Sequence, residues 1–136
     1  MYLLDSSALY PLVLALGEGV LDVAGRVSIL TLTPYEVGNA VWKEYRAGGI
    51  KRLEPVVELF SSILGEFRRV DPLEYWSSIL SLAVRENLSF YDASYLYVSR
   101  VLGLVLVSED SDLKKYPDVI SVREFIDRLR APDEGG

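Results

Sequence analysis

The chain of 136 residues contains no cysteine and no histidine. The absence of cysteine excludes disulfides, thiolate metal sites and a cysteine nucleophile. The absence of histidine excludes a Ser-His-Asp triad, histidine zinc sites and the commonest general base. Any catalysis must therefore use carboxylates, hydroxyls, lysine, tyrosine or a metal ion held by oxygen atoms.

Glutamine is also absent, and the chain has only two asparagines and one methionine. Depletion of these thermolabile residues is typical of hot-growing organisms, so we expect a thermophilic source. No uninterrupted apolar run approaches the ~20 residues that cross a bilayer. The apolar stretch 12–16 has no basic segment before it, so we expect no signal peptide and a cytoplasmic location.

Half of the residues are hydrophobic, a quarter are charged, and the net charge is −6. The length predicts one domain, residues 1–130, followed by a frayed C-terminal tail at 131–136. A protein that binds nucleic acid by electrostatics alone is usually basic, so the composition argues against a general DNA- or RNA-coating protein. It remains compatible with a nuclease whose bound cations cancel part of the acidity.

Short apolar runs alternate with amphipathic helical patterns along the whole chain. We expect strands near 2–4, 28–32 and 104–107, a short strand at 119–120, and either a short strand or a link at 68–71. Helical patterns fill most of the sequence between them. Strands that alternate with helices predict an α/β fold with three layers, α/β/α, around a central parallel sheet of four to five strands.

Four acidic residues fall at the ends of these elements. Asp5 and Asp110 follow buried strands, and Glu36 and Asp92 lie in the first turns of helices. Strand ends and the helix starts that follow them share one edge of a parallel sheet, so we expect the four acids to meet there. Two unit charges ~4 Å apart cost about 4 kcal/mol at an effective dielectric near 20, so such a cluster needs protonation or a cation. Ligands that are all oxygen select Mg²⁺ or Mn²⁺.

Each acid also has a structural interpretation that requires no metal. Asp5 is a good helix N-cap, and Glu36, three residues after a threonine, fits a capping box. Asp92 suits the N-terminal end of a helix dipole, and Asp110 fits a polar surface loop. Asp112 is compatible with a metal ligand, an acid that supports the ligands, or a helix cap.

Four segments of the chain resemble the PIN domain family, and most closely its VapC-like toxins. They are Asp5-Ser6-Ser7-Ala8, residues 33–40 (TPYEVGNA), Tyr91-Asp92-Ala93 and residues 108–113 (SEDSDL). The resemblance covers roughly residues 1–129. It implies a PIN-like fold and an endoribonuclease dependent on Mg²⁺ or Mn²⁺. It also implies a homodimer and the toxin of a type II toxin–antitoxin pair, neutralised by a small antitoxin.

The resemblance implies a role for individual residues. The catalytic acids would be Asp5, Glu36, Asp92 and Asp110, and the metal ligands would be Asp5, Asp92, Asp110 and Asp112. Ser6 and Ser108 match the family's hydroxyl positions near the metal, with serine at 108 where threonine is common. Glu36 would orient the attacking water and accept its proton, and hydrolysis would leave 5′-phosphate and 3′-hydroxyl ends.

Contacts to RNA require positive or aromatic side chains. The basic candidates are Lys43, Arg46, Lys51 and Arg52 near Gly48-Gly49, with Lys114 and Lys115 after the fourth strand; each is also compatible with a solvated surface. The aromatic candidates are Tyr35, Tyr91 and Tyr95, which can stack on bases or pack in the core. The apolar helices around 12–16 and 56–64 are alternative subunit interfaces.

Two other classes of function are compatible with parts of this pattern. The first is a PIN-like binding module in an RNA-processing or antitoxin complex, without significant catalysis of its own, and the intact acidic quartet argues against it. The second is a phosphate-handling protein. A receiver would need a lysine after a late strand, and a dehalogenase-type phosphatase would need a second acid two residues after Asp5, where Ser7 stands.

Overall fold

A computed structural model describes residues 1–131 of the chain. Its sheet has four strands: β1 (Tyr2–Leu4), β2 (Val27–Leu30), β3 (Arg68–Val70) and β4 (Val105–Val107). The strand order is β3-β2-β1-β4 and all three pairings are parallel. β1 therefore lies between β2 and β4 in the middle of the sheet. Of the tail expected at 131–136, all but Ala131 falls outside the described residues.

Helices connect and flank the strands. The α-helices are α1 (Ser6–Leu16), α2 (Thr33–Arg46), α3 (Leu53–Leu64), α4 (Trp76–Glu86), α5 (Phe90–Val101), α6 (Ser111–Lys114) and α7 (Val122–Arg130), and 3₁₀ helices span Gly17–Arg26 and Pro72–Tyr75. Successive side chains of a strand point to opposite faces of the sheet. Accordingly, Leu4 packs in a core cluster with α1, α3 and α7, while Leu3 packs in a second cluster with α4 and α5. The expected three-layer α/β/α fold with a parallel sheet is confirmed.

The sheet has four strands in the described part of the chain, at the lower end of the expected four to five. The segment expected as a fifth strand forms only an isolated parallel bridge between Val107 and Ile120. The amide of Ser108 donates to the carbonyl of Ile120 at 3.0 Å. The ladder ends there because the next residue, Ser121, caps α7 through the amide of Glu124.

The N-terminal helical segment is more apolar over its whole length than its short uninterrupted apolar runs indicate. Residues 6–26 have the length and composition of a membrane span. Gly17, however, has a φ of 56° and ends α1 after 11 residues, a length of about 17 Å against a hydrocarbon core of about 30 Å. Leu9 and Leu12 of α1 are fully buried in the protein core. The segment is therefore two short helices packed in this fold.

Candidate metal centre

Asp5 lies where β1 ends and α1 begins, and its side chain is almost completely buried. Its Oδ1 accepts hydrogen bonds from the amide of Ala8 at 3.0 Å and from Ser7 Oγ at 2.6 Å, and its Oδ2 accepts one from Ser108 Oγ at 2.5 Å. The Ala8 contact makes Asp5 the N-cap of α1. Burial raises the pKa of Asp5 even though the three hydrogen bonds oppose that shift, and the charge of Asp110 raises it further.

Two serine hydroxyls connect Asp5, at the C-terminal end of β1, to the loop after β4. Ser7 Oγ donates to Asp5 and accepts from the amide of Glu109 at 2.9 Å. Ser108 is fully buried, donates to Asp5 and accepts from the amide of Asp110 at 3.0 Å. The hydroxyl that contacts Asp5 from α1 is thus that of Ser7, whereas the assignment of Ser6 to the surroundings of the metal stays a prediction.

Glu36 is held by a chain of hydrogen bonds that begins in the core. The amide of Leu30 donates to Thr33 Oγ1 at 3.0 Å, Thr33 Oγ1 lies 2.6 Å from the hydroxyl of Tyr95, and that hydroxyl donates to Glu36 Oε1 at 2.6 Å. Since a hydroxyl carries one proton, Thr33 must donate to Tyr95. The capping-box interpretation of Glu36 is wrong, because Thr33 lies inside α2 and Leu32 caps the helix without a side-chain hydrogen bond.

Asp92, Asp110 and Asp112 form the more solvent-exposed part of the centre. Asp92 lies in the first turn of α5, and its amide is capped by Ser89 Oγ at 3.0 Å. Asp110 caps α6 by accepting from the amide of Asp112 at 2.8 Å. One carboxylate oxygen of each acid lies within 4.8 Å of those of the other two. The capping and metal-binding interpretations of Asp110 are therefore compatible, because Asp110 caps α6 and also belongs to this cluster.

The four acids predicted from the ends of strands and helices lie close enough for their charges to raise one another's pKa. Burial raises the pKa of Glu36 most, and the charges of Asp5, Asp92 and Asp110 raise it further, against the Tyr95 hydrogen bond. Burial, followed by the charges of Asp110, Asp5 and Asp112, raises the pKa of Asp92 to about 6. The structure thus brings Asp5, Glu36, Asp92 and Asp110 together, with Asp112 beside them.

The donor set fits a small divalent cation. Around Mg²⁺ at ~2.1 Å, ligand oxygens lie about 3 Å apart in cis positions and about 4 Å apart in trans positions. The oxygens of Asp92, Asp110 and Asp112 lie within 4.8 Å of one another, which is close to this range, so small side-chain rotations would bring them around one cation. Oxygen-only donors without nitrogen or sulfur are those that Mg²⁺ and Mn²⁺ prefer.

The basic candidates of α2 lie away from this centre, whereas Lys114 lies close to it in sequence, at the end of α6. Lys43 and Arg46 are in the last turns of α2, about 10 and 15 Å along the helix from Glu36. Lys51 and Arg52 precede α3, and the Arg46 guanidinium lies 5.2 Å from the ring centre of Trp42. Lys114 pairs with Glu109 at 3.1 Å.

The aromatic candidates divide into two groups. Tyr95 is buried and belongs to the core and to the Glu36 hydrogen-bond chain. Tyr35 and Tyr91 are exposed.

Sequence reasoning missed the roles of Ser7, Thr33 and Tyr95 in positioning the acids. Thr33 was interpreted as a cap, and Tyr95 as one of three possible stacking rings. Spacing along α5 held no usable signal, because Tyr91 and Tyr95 are four residues apart on one helix face, yet Tyr91 is exposed and Tyr95 is buried.

Comparisons with known proteins agree with this fold. No family model matches the chain. The chain is 39% identical over 133 residues to Exonuclease VapC9 of Pyrobaculum aerophilum, covering 96% of each protein. It is 28% identical over 109 residues to Ribonuclease VapC3 of the same organism, covering 76% of this chain and 82% of that protein.

Two solved structures share the architecture. The crystal structure of PAE2754 from Pyrobaculum aerophilum superposes with a TM-score of 0.83 at 37% identity, covering 96% of this chain and 90% of that one. A toxin–antitoxin complex from Klebsiella pneumoniae gives a TM-score of 0.62 at 17% identity, covering 90% and 98%, and shows the fold alone. The fold and the acidic centre are those of a PIN-like protein. The chain belongs to the VapC-like family of PIN-domain proteins.

Proposed function

We propose that this protein is an endoribonuclease dependent on Mg²⁺ or Mn²⁺ and the toxin of a type II toxin–antitoxin pair. The observation that carries the proposal is the cluster of carboxylates, three of which place oxygens within 4.8 Å of one another. The similarity to relatives named as an exonuclease and a ribonuclease supports a nuclease. The alternative of a binding module gains no support from this cluster, because a binding role does not require carboxylates that raise one another's pKa.

In the proposed mechanism Asp92, Asp110 and Asp112 hold the cation together with Asp5. A bound Mg²⁺ or Mn²⁺ supplies charge neutralisation at the phosphate and lowers the pKa of water. Glu36 orients the attacking water and accepts its proton. Burial raises the pKa of Glu36, and a buried carboxylate is a stronger base than an exposed one. In-line attack leaves a 5′-phosphate and a 3′-hydroxyl.

Tyr95 and the serines complete this mechanism without contacting the phosphate. The Tyr95 hydroxyl fixes Glu36 Oε1, so Oε2 remains to accept a proton. Ser7 and Ser108 occupy both oxygens of Asp5, and they hold its carboxylate in one orientation toward the cluster. Pre-organisation of this kind lets the charged groups act without rearrangement during the reaction.

The deciding experiment is cleavage of a labelled single-stranded RNA with Mg²⁺, with Mn²⁺ and with EDTA. We expect cleavage with either cation, none with EDTA, and at least a hundredfold loss in Asp5→Asn. The matched control is Asp118→Asn, since Asp118 is an exposed aspartate paired with Arg100 away from the cluster. Cleavage that persists in EDTA, or in Asp5→Asn, would refute the mechanism.

An exonuclease is the second candidate, because the relative with 39% identity is named as one. A circular single-stranded RNA separates the two activities, since it has no end. Opening of the circle supports an endonuclease, and an intact circle beside a degraded linear RNA of the same sequence supports an exonuclease.

We also propose a homodimer and an antitoxin partner, both in the cytoplasm. The apolar side chains Leu14, Leu16 and Val57 are exposed on α1 and α3, and a groove of about 360 Å³ between α2 and α3 is lined almost entirely by apolar residues. Light scattering should give twice the monomer mass. A short upstream reading frame that encodes a DNA-binding protein would support the toxin assignment.

A further inference from the structure

Two exposed tyrosines flank the acidic centre. Tyr35 is 81% exposed and directly precedes Glu36, and Tyr91 is 59% exposed and directly precedes Asp92. Consecutive residues of a helix point about 100° apart. Each ring therefore lies beside the acidic centre and not within it, one at the start of α2 and the other at the start of α5.

Both tyrosines line the same two adjoining cavities. One, of about 400 Å³, is also bordered by Glu36 and Asn39. The other, of about 520 Å³, continues from the two tyrosines to Phe90 and Arg69. Cavities of this size fall within the range that holds small organic ligands. A continuous cleft thus runs from the acid proposed as the base, past the two tyrosines, to Arg69, which shares its end of the cleft with Asp71.

The polar groups along the cleft suit a nucleotide. The Asn39 side chain offers both a donor and an acceptor, which can pair with the edge of a base. Arg69 uses one N–H to bond the carbonyl of Leu64 at 3.1 Å, and a guanidinium has five donors, so others remain for a phosphate. The exposed rings offer apolar faces to which any base can stack.

Charge alone cannot hold RNA against this protein. The net charge is −6, and the cationic candidates on α2 lie 10–15 Å or so along the helix from Glu36. Single-stranded nucleic acid is held elsewhere by aromatic stacking, which is tolerant of sequence and independent of charge. Stacking would therefore supply binding energy for RNA that the acidic centre itself does not provide.

We propose that Tyr35 and Tyr91 form a nucleobase subsite, in which bases of the single-stranded RNA substrate stack on the two rings beside the acidic centre. The inference rests on the proposed ribonuclease function and extends it. Arg69 contacts a phosphate at the far end of the cleft, and Asn39 contacts a base edge at the near end. The subsite binds the strand next to the cleaved bond without choosing its sequence.

The test is RNA binding, measured by fluorescence anisotropy with Mg²⁺. All proteins carry Asp5→Asn so that the labelled single-stranded oligoribonucleotide stays intact. Tyr35→Ala and Tyr91→Ala should each raise Kd roughly 5- to 150-fold, as expected for loss of one stacked base. Tyr35→Phe and Tyr91→Phe keep the ring and should bind as the parent does. The control is Val84→Ala, because Val84 is 77% exposed on α4 and lines neither cavity of the cleft.

A second set of substrates tests contact between ring and base directly. These are oligoribonucleotides that each lack one base, at a different position along the strand. We expect one position at which loss of the base weakens binding to the parent protein. At that position the loss should have no further effect on Kd in Tyr35→Ala or Tyr91→Ala. The proposal would be overturned if the effects of the abasic position and of the tyrosine substitution multiplied at every position, or if the alanine variants bound RNA like Val84→Ala. A change of oligomeric state with unaltered Kd would assign the tyrosines to a protein interface and also overturn it. Failure of RNA cleavage by the unsubstituted protein would instead refute the ribonuclease function.

Discussion

Tyr95 connects the core to the acidic centre through one phenolic hydroxyl. Its ring is buried among α4, α5 and the sheet, while its oxygen accepts from Thr33 and donates to Glu36. Burial, followed by the charge of Glu36, raises the pKa of Tyr95 far above its ordinary value of 10. The hydroxyl therefore remains a proton donor at every working pH and fixes one oxygen of Glu36.

Tyr95→Phe should lower kcat roughly tenfold or more, because a hydrogen bond to a charged group contributes about 1.5–3 kcal/mol. Loss of the bond removes the contact that lowers the pKa of Glu36, so the acid limb of the pH–rate profile should move to higher pH. The measurement is that profile with saturating RNA. The control is Tyr10→Phe, since the Tyr10 hydroxyl is buried without a hydrogen-bond partner among the described residues. Equal profiles for the two variants would show that Tyr95 only packs.

Ser108 is a second residue whose single oxygen has two partners, Asp5 Oδ2 and the amide of Asp110. Ser108→Ala leaves two polar groups unpaired and should cost about 1–3 kcal/mol of unfolding free energy in urea titrations. Ser108→Thr keeps the hydroxyl and should recover most of it. Ser28→Ala is the matched control, because Ser28 Oγ is also fully buried but has no partner in the described chain. Its substitution should be close to neutral, and a cost equal to that of Ser108→Ala would contradict this account.

The acids were predictable as residues, and their hydrogen-bond partners were not. Position at a strand end or helix start brought Asp5, Glu36, Asp92 and Asp110 to one edge, because a parallel sheet aligns those ends. Ser7 and Tyr95 depend on side-chain rotation and on which helix face meets another helix. Neither property is encoded in spacing along one element, so the contacts of Ser7 and Tyr95 with the acids were not predicted.

At the scale of elements, the strands and helices were predicted in the right order, with errors at their ends. β2 ends at Leu30 instead of residue 32, because the amide of Tyr35 and that of Glu36 already bond to the carbonyl of Leu32. The segment near 119–120 stops at a bridge since a two-residue run between a turn and a helix cap cannot extend a ladder. Local patterns locate an element, and tertiary hydrogen bonds decide where it stops.

The end of α4 depends on Asn87, which has a φ of 54° and a ψ of 46°. The left-handed conformation costs an ordinary L-residue roughly 1–2 kcal/mol, and asparagine and glycine tolerate it best. Asn87→Ala should therefore lose about 1 kcal/mol of unfolding free energy, whereas Asn87→Gly should retain or exceed the original stability. Urea titrations of the three proteins decide the matter. Equal midpoints for the alanine and glycine variants would argue against conformational strain.

At the scale of the whole molecule, the acidic centre opposes folding when no cation is bound. Burial and neighbouring charges raise the pKa values of Asp5 and Glu36, and they raise that of Asp92 to about 6. A carboxyl group with a raised pKa binds more protons in the folded than in the unfolded state. Stability is then greatest near and below the ordinary pKa of about 4 and falls as the pH rises through 6.

The metal-free protein should accordingly melt at a lower temperature at pH 7 than at pH 5, as measured by calorimetry after removal of cations. Mg²⁺ or Mn²⁺ should raise the melting temperature at pH 7, because it binds the folded state alone. Asp92→Asn should reduce both the pH dependence and the response to cations. Asp118→Asn should leave both unchanged, because Asp118 lies outside the cluster. A melting temperature that rises from pH 5 to pH 7 without cations would contradict this prediction.

The strand order has a consequence for how the acidic centre is assembled during folding. Asp5 follows β1, whereas Asp110 and Asp112 follow β4, the last strand of the described chain, which pairs with β1 in the middle of the sheet. Asp5 therefore meets Asp110 and Asp112 only when these two strands, far apart in the sequence, have paired. A fragment that retains β1 but ends before β4 could keep much of the core and would still lack two acids of the cluster.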